Sequence, residues 1–292
     1  MWGNMSKSAI INQKDQIHEE LRVQVEECKA IAAKMRQMMI SKACSINGNI
    51  HWGSILSCTE VLTVLYHVIM KQDNCKDDDK DKFLLSKGHA SLALYTIMNI
   101  EGILSDDIYH TYRDNGSSLS ELAHYDKKLG IEVSGGSLGI APSYGVGLAL
   151  LAKKRSQSYH TYVLVGDGEI DEGNVWEAIM FAAQSKLDNF TLIIDANGIQ
   201  SDGYTKEILS WENIKCRLES FGFETYSVDG HNCLELINAF SKSENKDCPK
   251  AIIANTTKGK GISFMENNYL WHDNYLKGTE LDVAKSEVGL NA

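Results

Sequence analysis

Two short apolar runs set the pattern of this chain. Val163-Leu164-Val165 and Leu192-Ile193-Ile194 are rich in Val and Ile, and each ends abruptly, the first in Gly166-Asp167-Gly168-Glu169 and the second in Asp195-Ala196-Asn197. Runs of this kind, bounded by glycine and polar residues, predict strands buried on both faces. Between them, Glu172 to Lys186 carries Val175, Trp176, Ile179, Phe181, Ala182 and Ala183 in a pattern that predicts an apolar-faced helix. Strand, helix and strand predict a right-handed parallel crossover. In such sheets ligands sit beyond the carboxyl ends of the strands, where Asp167 and Asn197 fall.

The alternation extends along most of the chain. A long helical stretch is predicted from Gln13 to Cys44, an apolar helix from Glu60 to Met70, a short strand at Phe83-Leu84-Leu85, and helices from Asp106 to Arg113 and Gly145 to Lys153. After the second run come helix Asn213 to Phe221, strand Glu224 to Val228, a turn at Asp229-Gly230-His231 that reads as structural, helix Cys233 to Lys242 and strand Lys250 to Asn255. The expected fold class is α/β, a three-layer doubly wound sheet that is mostly parallel. Residues 1–292 are expected to form a single domain, with 1–44 as a helical lead.

Composition excludes several classes. With 292 residues and 43% hydrophobic content the chain can bury a full core, and a net charge of −10 argues against nucleic acid or an acidic membrane as partner. Seven cysteines, an odd number without metal-type spacing, fit reduced thiols in a cytosolic compartment. Without a signal peptide or an apolar run of membrane-spanning length, the expectation is a soluble, cytoplasmic protein. The charged run from Lys71 to Lys82 contains three consecutive Asp but lacks the spaced ligands of an EF-hand, and reads as a solvated loop.

Candidate chemistry concentrates where the first run ends. Glycines flanking a strand end let a ligand approach the backbone and free its N–H groups for phosphate oxygens. A bare diphosphate fits poorly, because the residue between Gly166 and Gly168 is an anion and Asp171 stands where the dinucleotide fingerprint has its third glycine. Oxygens from Asp167 and Asn197 suit a diphosphate bridged by a hard divalent cation, magnesium first, with calcium or manganese as alternatives. Four histidines stand in separate stretches: His51 in the polar loop Ser45 to Ser57, His89 in Ser86-Lys87-Gly88-His89-Ala90, His124 in Leu122-Ala123-His124-Tyr125, and His272 after Trp271. Each alone reads equally as a capping, packing or surface residue, and Lys258 and Lys260 read as ordinary loop charges. The turn Val133 to Gly139 permits close approach of either a flat ligand or a neighbouring helix.

Gly166-Asp167-Gly168 followed after one helix by Asn197 resembles the thiamine diphosphate signature. Gly166-Asp167-Gly168-Glu169-Ile170-Asp171-Glu172-Gly173 is specifically similar to the transketolase family, as are the Ser-Lys-Gly-His-Ala run and Trp271-His272 in the same order. The resemblance covers nearly the whole chain but only the diphosphate-binding part of a full transketolase. It implies the thiamin diphosphate-binding fold and cofactor contacts from His51, His89 and His272, from the turn Gly136, Ser137 and Leu138, and from Gly166, Asp167, Gly168, Glu169, Asn197 and Ile199. It further implies a metal held by Asp167, Asn197 and the Ile199 carbonyl. His51, His124 and His272 are implied to bind donor oxygens and move protons. Glu172 and Glu177 would face a subunit interface where carboxylates link paired sites.

The implied activity is transfer of a two-carbon ketol unit from a ketose to an aldose. In this family a pyrimidine-binding domain supplies the glutamate that activates the cofactor. That domain and the C-terminal one are absent from the sequence, so the expected partner is a C-terminal transketolase subunit in an α2β2 heterotetramer. Three places depart from the family pattern: Trp52 stands where many members have Pro, Ile140-Ala141-Pro142 replace the usual residues after the glycine turn, and Ser201 replaces an apolar residue. These departures leave room for a carboligase with a non-sugar or modified-sugar acceptor, and for a non-catalytic scaffold descended from such a subunit.

Overall fold

The computed structural model describes residues 7–46, 48–71, 79–245 and 247–290. Its strands are β1 (Lys82–Leu85), β2 (Thr161–Gly166), β3 (Phe190–Ala196), β4 (Ile199–Gln200), β5 (Gly203–Tyr204), β6 (Glu224–Asp229) and β7 (Lys250–Asn255). β4 and β5 form a small antiparallel hairpin, and the others make one sheet in the order β1-β2-β3-β7-β6, parallel at every pairing. The helices before β2 are α1 (Lys7–Ala43), α2 (Trp52–Ser57), α3 (Thr59–Val64), α4 (Ser91–Ile100), α5 (Asp106–His110) and α6 (Ala141–Arg155). Those after it are α7 (Gly173–Gln184), α8 (Thr205–Ile208), α9 (Ile214–Phe221), α10 (Cys233–Ser241) and α11 (Gly278–Glu287).

Period-two alternation along the strands builds two cores. Val163, Val165, Leu192, Ile194 and Ile253 face one side, where they meet Val146 and Ala149 of α6, Val175 and Ile179 of α7 and Leu218 of α9. Tyr162, Leu164, Ile193 and Ile252 face the other, against α1 to α4 and α10. Both faces of the sheet are therefore covered, which gives the three layers expected and explains why the central strands read as unbroken apolar runs. Among the described residues no helix is long and apolar enough to cross a membrane.

Several boundaries differ from expectation. The segment Trp52 to Ser57, read as the end of a polar loop, is helical, because Trp52, Ile55 and Leu56 are fully buried and their packing overrides the glycine and serine content. The helix expected from Glu60 to Met70 is α3 followed by a π-helical turn at Leu65–Ile69. Helix α6 begins at Ala141 rather than Gly145, with Pro142 in the first turn, where a missing N–H removes no helix bond. The departure at Ile140-Ala141-Pro142 is thus a helix start. The predicted helix from Asp106 stops at His110, and Arg113 takes a left-handed conformation at φ 64°. Residues 72–78 of the predicted charged loop, together with 1–6 and Asn47, lie outside the described residues.

One buried polar chain fixes the back of the molecule. Arg36 of α1 pairs with Glu60 of α3 at 2.7 Å, His231 Nδ1 lies 2.8 Å from the other Glu60 oxygen, and the Thr257 N–H donates to His231 Nε2 at 2.8 Å. Burial works against the Glu60 charge, but His231 and Arg36 outweigh it and hold the carboxyl down to about 2. The turn Asp229-Gly230-His231 is thereby a structural tie, reaching the segment that carries Lys258.

Candidate active site

Strands β2 and β3 run side by side, with Gly166 opposite Asp195, so the chain leaves both at the same edge of the sheet. Asp167 bridges the two exits: its Oδ1 accepts the Gly168 N–H at 2.9 Å and its Oδ2 the Gly198 N–H at 2.5 Å. Asn197 Oδ1 accepts the Ile199 N–H at 3.1 Å. Both side chains are buried, and with Ile199 they line a cavity of about 590 Å³.

The opposite wall carries imidazoles. His51 precedes α2, His89 stands in the 3₁₀ turn Gly88–Ala90 before α4, and His272 follows the turn Tyr269–Trp271. Their ring centroids lie 5.0 Å (His51 and His89), 5.6 Å (His51 and His272) and 5.7 Å (His89 and His272) apart. Residues far apart in the chain meet here through backbone ties. Ile50 and Asn274 form an antiparallel bridge, and the Trp52 indole N–H donates to the Asn274 carbonyl at 3.1 Å. Gly88 and Gly135 touch so closely that a Cβ on Gly88 would fall 2.8 Å from the Gly135 Cα. The glycine turn can therefore lie against the His89 turn.

Below the imidazoles lies a buried ionic cluster. Lys87 Nζ donates to Asp195 and, at 3.0 Å, to the Ser54 carbonyl, while the Ser57 hydroxyl donates to Asp195 at 2.6 Å. Burial opposes the Asp195 charge, but Lys87 and the hydroxyls prevail and lower its carboxyl. Lys258 is 1% exposed and donates to the Ile199 carbonyl at 3.1 Å. Burial, then the Lys87 charge, lowers its ammonium to about 8, which leaves it mainly cationic at neutral pH. Burial, then the Asp195 charge, raises Asp167 to about 6. His89 is held well below its ordinary value by burial and Lys87, and His272 is brought to about 3 by burial and Lys258, so both rings are neutral near pH 7. Glu169 is raised by burial, while the Gly139 N–H at 2.7 Å, the Ser86 hydroxyl and the Gly166 N–H at 3.0 Å stabilise its charge and occupy its oxygens.

Comparison with known proteins follows the same line. Residues 28–292 match the family model described as transketolase, thiamine diphosphate binding domain. The chain belongs to that family. It is 38% identical over 270 residues to a subunit of the apulose-4-phosphate transketolase of Phocaeicola vulgatus, a match covering 91% of this chain and 95% of that protein. It is 37% identical over 241 residues to the 6-deoxy-6-sulfo-D-fructose transketolase subunit SqwG of a Clostridium species, covering 82% of this chain and 88% of that one. The crystal structure of transketolase from Campylobacter jejuni aligns with a TM-score of 0.81 at 30% identity. That alignment takes in 92% of this chain but 43% of the larger one, so the chain spans less than half of that enzyme.

The cavity wall fits a metal–diphosphate group. Asp167, Asn197 and Ile199 bring oxygen ligands to the cavity lining, and the buried Lys87 and Lys258 add positive charge beside them. Among the described residues, the buried side-chain atoms without a hydrogen-bond partner include His51 Nδ1, His272 Nδ1 and Gln200 Oε1, and all three residues line this cavity. The His272 nitrogen and the Gln200 oxygen are polar capacity that a ligand in the cavity would satisfy.

Of the residues singled out from sequence, His51, His89, His124, Gly136, Leu138, Gly166, Asp167, Gly168, Glu169, Asn197, Ile199 and His272 share the cavity. Ser137 does not line it, and Glu172 and Glu177 are exposed at the start of α7. Ser201 lines it, adding a polar group where the family has an apolar one. Sequence reasoning missed Ser54, Lys87 and Gln200 and treated Lys258 as a loop charge. Each lysine adjoins a glycine, Lys87-Gly88 and Lys258-Gly259, but such pairs are common, and only the tertiary fold buries these two.

Proposed function

We propose that the chain is the thiamine diphosphate- and magnesium-binding subunit of a two-chain transketolase. A C-terminal transketolase subunit would supply the pyrimidine-binding domain and the glutamate that activates the cofactor, in an α2β2 assembly. One observation carries the reading: Asp167, Asn197 and Ile199 line the same cavity as His51, His89 and His272, whose rings lie within 5.7 Å of one another. The match to 95% of a relative that is itself named as one transketolase subunit supports a chain acting as one diphosphate-binding domain. The exposed Glu172 and Glu177 support an interface on α7. The negative net charge supports a protein without a nucleic-acid partner, and the cysteines, unpaired among the described residues, support a reducing, cytoplasmic compartment.

In this reading Asp167, Asn197 and the Ile199 carbonyl would hold magnesium, which would offset the Asp167 charge beside a diphosphate. Lys258, free to exchange the Ile199 carbonyl for a phosphate oxygen, neutralises remaining charge. Bound thiamine diphosphate supplies the electron sink that allows a carbon–carbon bond beside a carbonyl to break and form. His51, His124 and His272 orient sugar oxygens and transfer protons; His272, kept neutral by burial and Lys258, can accept a hydrogen bond from a sugar hydroxyl. The substrates are a ketose donor and an aldose acceptor. The apulose-4-phosphate and 6-deoxy-6-sulfo-D-fructose in the relatives' names support modified sugars among them.

Calorimetric titration with thiamine diphosphate and magnesium, with and without the partner, tests cofactor binding, and heat in neither titration favours a scaffold. Ketol transfer is expected only when the two chains are mixed. Transfer by this chain alone would overturn the two-chain reading.

A further inference from the structure

One arrangement at the cavity mouth has no part in that scheme. Glu121 lines the cavity between Ser120 and Leu122, and its Oε1 lies 3.3 Å from His51 Nδ1. Its other oxygen is 3.5 Å from the Arg113 guanidinium, and Arg113 in turn donates to the Asn49 carbonyl at 2.5 Å. The Asn49 amide reaches Asp273 at 3.5 Å, and Asp273 stands 4.0 Å from the same His51 nitrogen. His51 Nδ1 is shielded from solvent and makes no hydrogen bond as it stands. Two anions therefore face one unspent imidazole nitrogen, and the nearer of them is held by an arginine.

We propose that Glu121 is a positioning residue for His51. Its carboxylate accepts the Nδ1–H, which fixes the neutral tautomer and leaves the Nε2 lone pair as the free, proton-accepting edge of the ring. A carboxylate behind a working imidazole selects tautomer and orientation in this way, and such hydrogen bonds are often long or misaligned before substrate binds. Glu121 is preferred over Asp273 because it is closer and because Arg113 restricts its rotation. The guanidinium also supplies the positive charge that the His51, Glu121 and Asp273 cluster would otherwise draw from a metal ion.

The inference rests on the proposed role of His51 as a proton-transfer group, and its test separates the two. The full chain, labelled with 15N-histidine, is studied by long-range 1H–15N correlation above neutral pH, with the His51 signal assigned by loss in His51→Asn. The expected pattern is a proton on Nδ1 in the wild type, a shift to the Nε2–H form in Glu121→Met, and retention of the Nδ1–H form in Glu121→Asp. A wild-type His51 protonated on Nε2 overturns the proposal without recourse to any variant. In the two-chain assay, E121M is expected to lower kcat by roughly tenfold with little change in KM, and E121D to recover part of the loss. An unchanged kcat in E121M, or stoichiometric metal that E121M releases, also overturns it. A wild-type complex without ketol transfer would count against the proposed function alone, since the tautomer is read without turnover.

Discussion

Under the proposed function, Asp167 carries two demands that conflict in the absence of a cation. It is buried, it faces the Asp195 charge, and its carboxyl rises to about 6. A carboxyl whose folded value exceeds its unfolded one holds its proton more tightly when folded, so without a cation its ionisation costs stability above about pH 4. Metal needs the ionised form. Magnesium-dependent binding of thiamine diphosphate is therefore expected to weaken roughly tenfold per pH unit below about 6, with proton release, and to level off above it. Calorimetry at pH 5 and pH 7.5 in buffers of different ionisation heat reads both effects; equal affinity at the two values would contradict the assignment. The residue types of this site were legible because Gly166-Asp167-Gly168 and Asn197 sit in the turns that end two strands, where ligand geometry is local. Lys87 and Lys258 were not, because a lysine's role depends on whether distant segments bury it.

Between elements, the Arg36, Glu60 and His231 chain links α1, α3 and the turn after β6 and, through Thr257, reaches the segment after β7. Glu60 has a depressed folded value of about 2, so its contribution is complete above its unfolded value near 4.5 and is lost as pH falls through 2. Glu60→Gln is expected to cost on the order of 3 kcal/mol at pH 7, because it leaves Arg36 without its buried partner. Urea unfolding across pH 2 to 7 should show the wild type losing that margin on acidification while the variant's curve is flatter; parallel curves would refute the tie. The five sheet strands were readable, Lys250–Asn255 to the residue and β2 and β3 as their apolar centres, whereas the β4–β5 hairpin was not. The helices around His51 were not. Glycine and serine in Trp52 to Ser57 suggest a loop, and it is the burial of Trp52, with its indole bond to Asn274, that makes them helical and brings His51 beside His272.

At the scale of the whole molecule, α6 and α7 pack together and each carries large apolar side chains that stand exposed. Tyr144 is 56% exposed, Met180 54% and Phe181 51%. These exposed side chains on two adjacent helices make α6 and α7 the surface at which to test the subunit contact. The double variant Met180→Glu and Phe181→Glu is expected to keep its circular dichroism and to sediment as a smaller species than the wild type in the presence of the partner. Unchanged sedimentation would move the subunit contact elsewhere.

The sequence by itself determined the parallel α/β architecture and the diphosphate end of the site. Strand periodicity and strand-end turns are short-range properties, expressed within a few residues of the groups that carry them. The tertiary structure alone decided which charges are buried, how the imidazoles approach one another and which carboxylate backs His51. Those outcomes depend on desolvation and on the approach of Glu121 and Asp273 to His51, residues that no local pattern connects.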